Sequence, residues 1–359
     1  MANKIPSPAD EQLSLNLGKY GNSRRNTLTI ISHIAPAKPT IVFDSYWRFA
    51  AERQNIFFKR LKADPFPWTN DPILLQHKFT NAYRASDRTS QYLIRHVIYR
   101  EDLPSTPDEI FFRIMLFKLF NKIETWELIE SQVKTIVFAE YSFERYDKIL
   151  TAAMSRGQAI YSAAYIMPSG GKTLGHTTKH RNHLELLERM MADELPTKLQ
   201  DTSSMHKGFD LLLGYPTIGN FLAYQFITDI NYSEITNWTE MEFVVPGPGA
   251  LDGICKCFQD LGGLNEPEII KFVAEIQEQE FDRLGLDFQP LWGRNLQLID
   301  CQNLFCETDK YARVKHPEIL GKTGRTRIKQ KYSVSKSKAS INYWYPPKWG
   351  INRAIEEDR

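Results

Sequence analysis

The sequence predicts a mainly α-helical fold, one helical domain over 41–309 followed by a basic, aromatic C-terminal extension over 310–359. Three observations predict it. Apolar residues recur at spacings of three and four through most of 41–309, the period of amphipathic helices. Strand-like alternation is scarce and short. Basic residues crowd one end, with twelve Lys and Arg from Lys310 to Arg353 against a single acid, Glu318.

The elements follow in order. Residues 1–40 are polar and rich in Pro, Ser and Asn, the composition of a flexible arm. From Phe43 the helical spacing begins, running through Tyr46-Trp47 to Phe57-Phe58 and stopping near Asp64-Pro65-Phe66-Pro67. Asp87–Tyr99 and Pro107–Phe120 read as two more helices; in the second, Pro107 suits the first turn, and Asp108 and Glu109 suit its positive end. Helical spacing recurs at Ser142–Met154, Thr178–Met191, Met205–Leu213, Asn220–Ile230, Gly249–Leu261 and Glu266–Leu284. No internal repeat or linker divides 41–309.

Composition excludes several classes. The 359 residues are 42% hydrophobic and 25% charged, enough to fill a core and too balanced for wholesale disorder. No apolar run is long enough to span a membrane, and the N-terminus lacks an apolar leader, so a cytoplasmic protein is expected. Four Cys in this length do not form a disulfide framework. The formal charge of +2 averages two unlike parts: 310–353 carries +11 and the remainder −9. Cations interleaved with Tyr311, Tyr332, Tyr343, Trp344, Tyr345 and Trp349 suit a phosphate backbone and unstacked bases. They equally suit a tail that packs its aromatics on its own core.

Several segments carry candidate chemistry. An apolar helix ending at Leu213 runs into Pro216-Thr217-Ile218-Gly219, and a second helix starts at once. This resembles the helix-hairpin-helix of DNA glycosylases, whose turn offers backbone N–H groups to a DNA phosphate; Thr217 stands where a glycine is common. The Pro246-Gly247-Pro248-Gly249 turn likewise opens a helix, so Thr217, Gly219, Gly247 and Gly249 are candidate DNA contacts, with Lys329 and Lys331 from the basic segment. By that resemblance a catalytic carboxylate falls near Glu240 or Glu242, with Asp229 as the alternative. Such an acid would stabilise the positive charge that builds on a sugar as its bond to the base breaks. No lysine stands beside these acids, which favours water over a Schiff-base nucleophile. Arg84 and Arg88, four apart around Asp87, could share a helical face.

Other motifs are incomplete. Ser169-Gly170-Gly171-Lys172-Thr173 ends like a phosphate-binding loop, but Ile166 stands where its first glycine belongs. His176, His180 and His183 could share a face without an identifiable fourth ligand, so no metal and no cofactor is expected. Lys172, Lys179, His180 and Arg181 suit phosphates or a polar substrate better. The Cys255, Cys257, Cys301 and Cys306 spacings are not those of a zinc ribbon.

Five blocks together, Trp47–Arg60, Pro67–Tyr99, Phe111–Trp126, Gly219–Asn231 and Phe243–Gly253, resemble the helical domain of 5-hydroxymethyluracil DNA kinases and α-glutamyl/putrescinyl thymine pyrophosphorylases. That family has a glycosylase-like branch that includes antiphage DNA glycosylases. The resemblance covers about 41–316. It implies a glycosylase-like helical fold, double-stranded DNA with modified bases as partner, and Asn81, Arg84, Asp87, Arg88, Gln91, Tyr224, Gln225, Asp229 and the 246–249 turn as base pocket and DNA contacts. Three activities follow as expectations. One is a glycosylase that excises a modified pyrimidine from phage DNA. The second is a pyrophosphorylase-type transferase using Arg84, Arg88 and Lys172 as its pyrophosphate site. The third is a non-catalytic DNA-binding module. No protein partner can be inferred.

Overall fold

The computed structural model describes residues 37–358 except Ile166 and 334–341, and leaves out the Lys172 side chain. The arm read at 1–40 therefore lies outside the described residues up to 36. The described chain is mainly helical, with one small two-stranded sheet. In order come β1 (Lys38–Pro39), α1 (Ile41–Leu61), α2 (Pro72–Gln76), α3 (Arg88–Leu93), α4 (Pro107–Phe120), α5 (Ile123–Val133) and α6 (Phe143–Ser155). Then follow α7 (Lys179–Ala192), α8 (Leu195–Gln200), α9 (Met205–Leu213), α10 (Asn220–Ile230), α11 (Pro248–Cys257), β2 (Phe258–Asp260), α12 (Glu266–Glu275), α13 (Gln277–Leu284), α14 (Leu298–Lys315) and α15 (Asn352–Glu357). β1 and β2 pair antiparallel.

Local chemistry sets the helix starts. Thr40 caps α1 by accepting from Val42 N–H, and Asp71 caps α2 ahead of Pro72. At α4 Thr106 accepts from Glu109 N–H, Pro107 holds the first position, and Asn121 closes the helix in the left-handed region at φ 48°. Asn265 and Glu268 form a reciprocal capping box on α12.

Two groups of helices share one hydrophobic core. In the first, α14 packs on α11, α1 and α12. A Cβ at Gly253 would overlap the carbonyl oxygen of Phe305, and one at Gly249 the sulfur of Cys306, so these two glycines let α11 and α14 meet backbone to backbone. In the second, α4 packs on α7, α10 and α8; every residue from Glu109 to Phe120 is buried, because α4 is surrounded. The 3₁₀ turn Arg84–Ser86 lies between the groups, against α14.

The structure departs from the sequence reading in places. The helix expected over Asp87–Tyr99 changes at Ile94 into a π-helical turn, Ile94–Ile98. The span 266–284 is two helices, parted at Ile276. α5 and α14 were not anticipated, and α14 runs through the 309/310 boundary. The aromatics beyond it, Tyr311, Tyr343 and Tyr345, are buried with Ile351 and Ile355, so the extension is built into the core. No helix of the described residues is long and apolar enough to cross a membrane.

Candidate nucleotide cleft and its buried support

The predicted site residues separate into a buried network and an open cleft. Arg84 is only 2% exposed. Its Nη1 and Nη2 donate to the two carboxylate oxygens of Asp229 on α10 at 2.7 and 3.0 Å, and Nη1 also reaches Tyr232 Oη at 3.1 Å. Its Nε donates to Gln225 Oε1 at 3.1 Å, and its backbone N–H to Asp300 on α14 at 2.7 Å. Lys118 of α4 lies 3.0 Å from the second Asp229 oxygen. Burial alone would push the Asp229 carboxyl up; the Arg84 guanidinium and Lys118 ammonium outweigh it and hold the group below its ordinary value. One fork of hydrogen bonds thus ties α4, α10, α14 and the 84–86 turn together, and its polar groups are satisfied internally.

Arg88 has the opposite setting. Arg84 starts a 3₁₀ turn that ends at Ser86, the backbone turns extended at Asp87 (ψ 147°), and Arg88 then starts α3. The two arginines therefore do not share a helical face. The Arg88 side chain is 81% exposed, 3.8 Å from Glu124.

Arg88 lines a cleft of about 870 Å³, within the range of nucleotide-sized sites. Its cations are Arg53, Arg60, Lys78, Arg88, Arg95 and Lys331, and Glu127 is the sole carboxylate in its described lining. Phe79, Tyr92 and Tyr343 supply aromatic wall. Two distant segments close it: Lys78 N–H donates to Gln330 O at 3.1 Å and Tyr332 N–H to Gln76 O at 3.0 Å. The predicted contact Lys331 thereby joins a wall, with the exposed Lys329 just outside.

Asn81 and Gln91 line the cleft but are occupied. Asn81 accepts from Arg53 at 3.2 Å and donates to Ser86 O at 2.7 Å; Gln91 donates to Ala85 O at 2.8 Å and accepts from Trp344 N–H at 3.0 Å. They shape the wall: Asn81 helps hold the buried Arg53, whose Nε also donates to Thr80 O at 2.8 Å, while the exposed Arg88 faces the opening. Asp87, half-buried, stands between the lining residues Ser86 and Arg88 and accepts from Asn81 N–H at 2.8 Å. Burial pushes its carboxyl up to about 7; the Asn81 bond and the cations Arg53 and Arg84 oppose that, while Glu307 adds to it.

The remaining candidates lie away from the cleft lining. Glu240 is buried and accepts from Arg294 at 2.6 Å, and Glu242 is exposed. Tyr224 is buried edge-on to Phe243. In the α9–α10 turn Thr217 adopts φ 71°, the left-handed conformation glycine would favour, and the exposed Gly219 precedes α10 with open space around it. Gly247 packs under Phe221. The histidines are spoken for: His180 meets Asp147 at 2.8 Å, His183 meets Tyr161 Oη and Pro168 O at 2.8 Å each, and His176 stacks on Phe143. The Lys172 side chain lies outside what is described.

Sequence reasoning missed Lys118, Arg53, Arg60 and Arg95. A signal existed for Arg53: it stands four residues from both Phe49 and Phe57 on the buried face of α1, where an unpaired cation would be costly.

The chain is a member of the family described as 5-hmdU DNA kinase, helical domain, which matches residues 40–321. A 5-hmdU DNA kinase of Bacillus phage SP10 is 27% identical over 292 residues, which make up 77% of this chain and 46% of that protein. The chain thus spans about half the length of this relative. No solved structure matches.

Proposed function

We propose that this chain acts on a modified pyrimidine in DNA and cleaves the bond between that base and its sugar, with the cleft holding the extruded nucleotide. One observation carries the reading: a nucleotide-sized cleft whose described lining sets six cations against one carboxylate, with Asp87 bonded to the lining residue Asn81 and next in sequence to the lining residues Ser86 and Arg88. The cations match the phosphates flanking a nucleotide taken out of the stack. The relative's name, a 5-hmdU DNA kinase, supports a hydroxymethylated pyrimidine of DNA as the target. In hydrolysis a water oxygen bonds to the anomeric carbon while the carbon–nitrogen bond breaks, its electron pair leaving with the base. Asp87 in its ionised form takes the water proton and stabilises the positive charge on the sugar. Asp229 serves differently here, by holding Arg84.

A second reading, transfer at the base's hydroxymethyl carbon with loss of pyrophosphate, is favoured by the same density of cations. Mass spectrometry of what the protein releases from DNA carrying hydroxymethylated, glucosylated or pyrophosphorylated pyrimidines separates the two. Free modified base and abasic sites, lost in Asp87→Asn while binding persists, are expected. Pyrophosphate would establish the transferase. Bound but intact DNA would leave a binding module.

A further inference from the structure

The loop Asp64-Pro65-Phe66-Pro67-Trp68 divides the cleft from a second cavity of about 770 Å³. Phe66 lines the cleft, Pro67 lines the other cavity, and Trp68 lines both. Phe66 is 45% exposed, the most exposed Phe, Tyr or Trp of the described residues. One exposed apolar residue is ordinary on a protein surface; the setting of this one is not.

Its loop is braced. Prolines on both sides restrict the backbone. Trp68 Nε1 donates to Asp64 O at 2.8 Å and ties the loop's two ends together. Lys59 Nζ donates to Trp68 O at 3.1 Å, and the Arg60 guanidinium lies over the Trp68 ring at 5.3 Å. Trp68 in turn meets Phe66 edge-on, ring centres 5.3 Å apart at 87°. The phenyl ring is therefore held out toward solvent by a fixed support, beside the cleft's cations.

We propose that Phe66 is a wedge that enters the base stack of duplex DNA and fills the gap left when the target nucleotide occupies the cleft. The proposal rests on reading the cleft as a nucleotide site. Extruding a base leaves its neighbours unstacked, and an apolar or aromatic side chain inserted there recovers stacking. A wedge must be stiff to hold a step open, and the Trp68 brace supplies that. It also needs phosphates gripped close by, which Arg60 and Arg88 on the same cleft supply.

The test compares wild type, Phe66→Ala and Phe66→Trp on two oligonucleotides containing 5-hydroxymethyluracil, one duplex and one single-stranded. Each carries 2-aminopurine next to the modified base. Affinity is read by anisotropy and unstacking by 2-aminopurine fluorescence. Phe66→Ala should weaken duplex binding by about fivefold or more, the scale of one lost base–aromatic stack, and abolish the fluorescence rise on the duplex. Single-strand affinity should stay within about twofold, and Phe66→Trp should restore both duplex signals. Because the side chain is exposed, an unchanged thermal melt separates this loss from misfolding. Unchanged duplex binding and fluorescence in Phe66→Ala overturns the wedge alone, as does an equal loss on both oligonucleotides. Wild-type protein that binds neither oligonucleotide overturns the reading of the cleft and this proposal with it.

Discussion

Arg84 and Arg88 stand four residues apart and have opposite fates. Arg84 is sealed among Asp229, Tyr232 and Gln225, and its neighbour Asp229 also receives Lys118. Arg88 projects from the start of α3 into a cleft crowded with other cations. In the first region every charge has a partner; in the second, cations outnumber acids six to one among the described lining residues. Charge that is matched holds a fold together, and charge left unmatched at a concave surface attracts a ligand.

The comparison breaks first at Asp229. Asp229→Ala leaves two buried cations without their anion and should cost about 3–5 kcal/mol of stability, read by chemical denaturation. A variant of near wild-type stability would show that the network is not the brace described above.

A second effect separates the regions by pH. Burial pushes the Asp87 and Asp300 carboxyls up to about 7, while an unperturbed Asp titrates near 3.8. Between those values the folded state keeps protons that the unfolded chain has released. Stability therefore falls as pH rises from about 4 to about 7 and levels off above that. In Asp87→Asn the decline should shrink without vanishing, since Asp300 remains. Under the proposed reaction, base release by the wild type should climb around pH 7, where Asp87 ionises in the folded state. Unfolding free energies and single-turnover rates over about pH 5 to pH 8 decide both; an unaltered slope in the variant would remove Asp87 from the account.

The smallest change in stability belongs to Arg88→Ala, within about 0.5 kcal/mol because the side chain is exposed. Its effect should appear in DNA affinity instead, with the slope of log K against log salt reduced by about 1. A salt dependence identical to wild type would move the DNA contact away from the cleft.

Sequence disclosed local structure well and the site only in fragments. Pro107–Phe120, Met205–Leu213 and Asn220–Ile230 match their helices residue for residue, because caps, prolines and apolar period are encoded within a few positions. Asn81, Asp87, Arg88, Gln91 and Lys331 were legible as polar or basic residues in suggestive company. Their sorting was not. An extended step at Asp87 breaks the helical phase between the two arginines, and no local pattern announces it. Asp229 drew attention as an acid following a hairpin, but only the packing of α4 and the 84–86 turn around it shows it sealed by Lys118 and Arg84. The aromatics of the basic segment read equally as base contacts or core, and the structure buries Tyr343 and Tyr345.

The pairing of Lys78 with Gln330 and of Tyr332 with Gln76 joins segments about 250 residues apart. Helices such as α4 and α10 draw on neighbours in sequence and can form early, whereas a contact of that span must first close a long loop against its entropy. The cleft exists only once that long loop has closed. A partly folded molecule would show nearly full helicity and yet have no place to hold a nucleotide, so affinity for DNA reports on completion of the fold in a way that helix content does not.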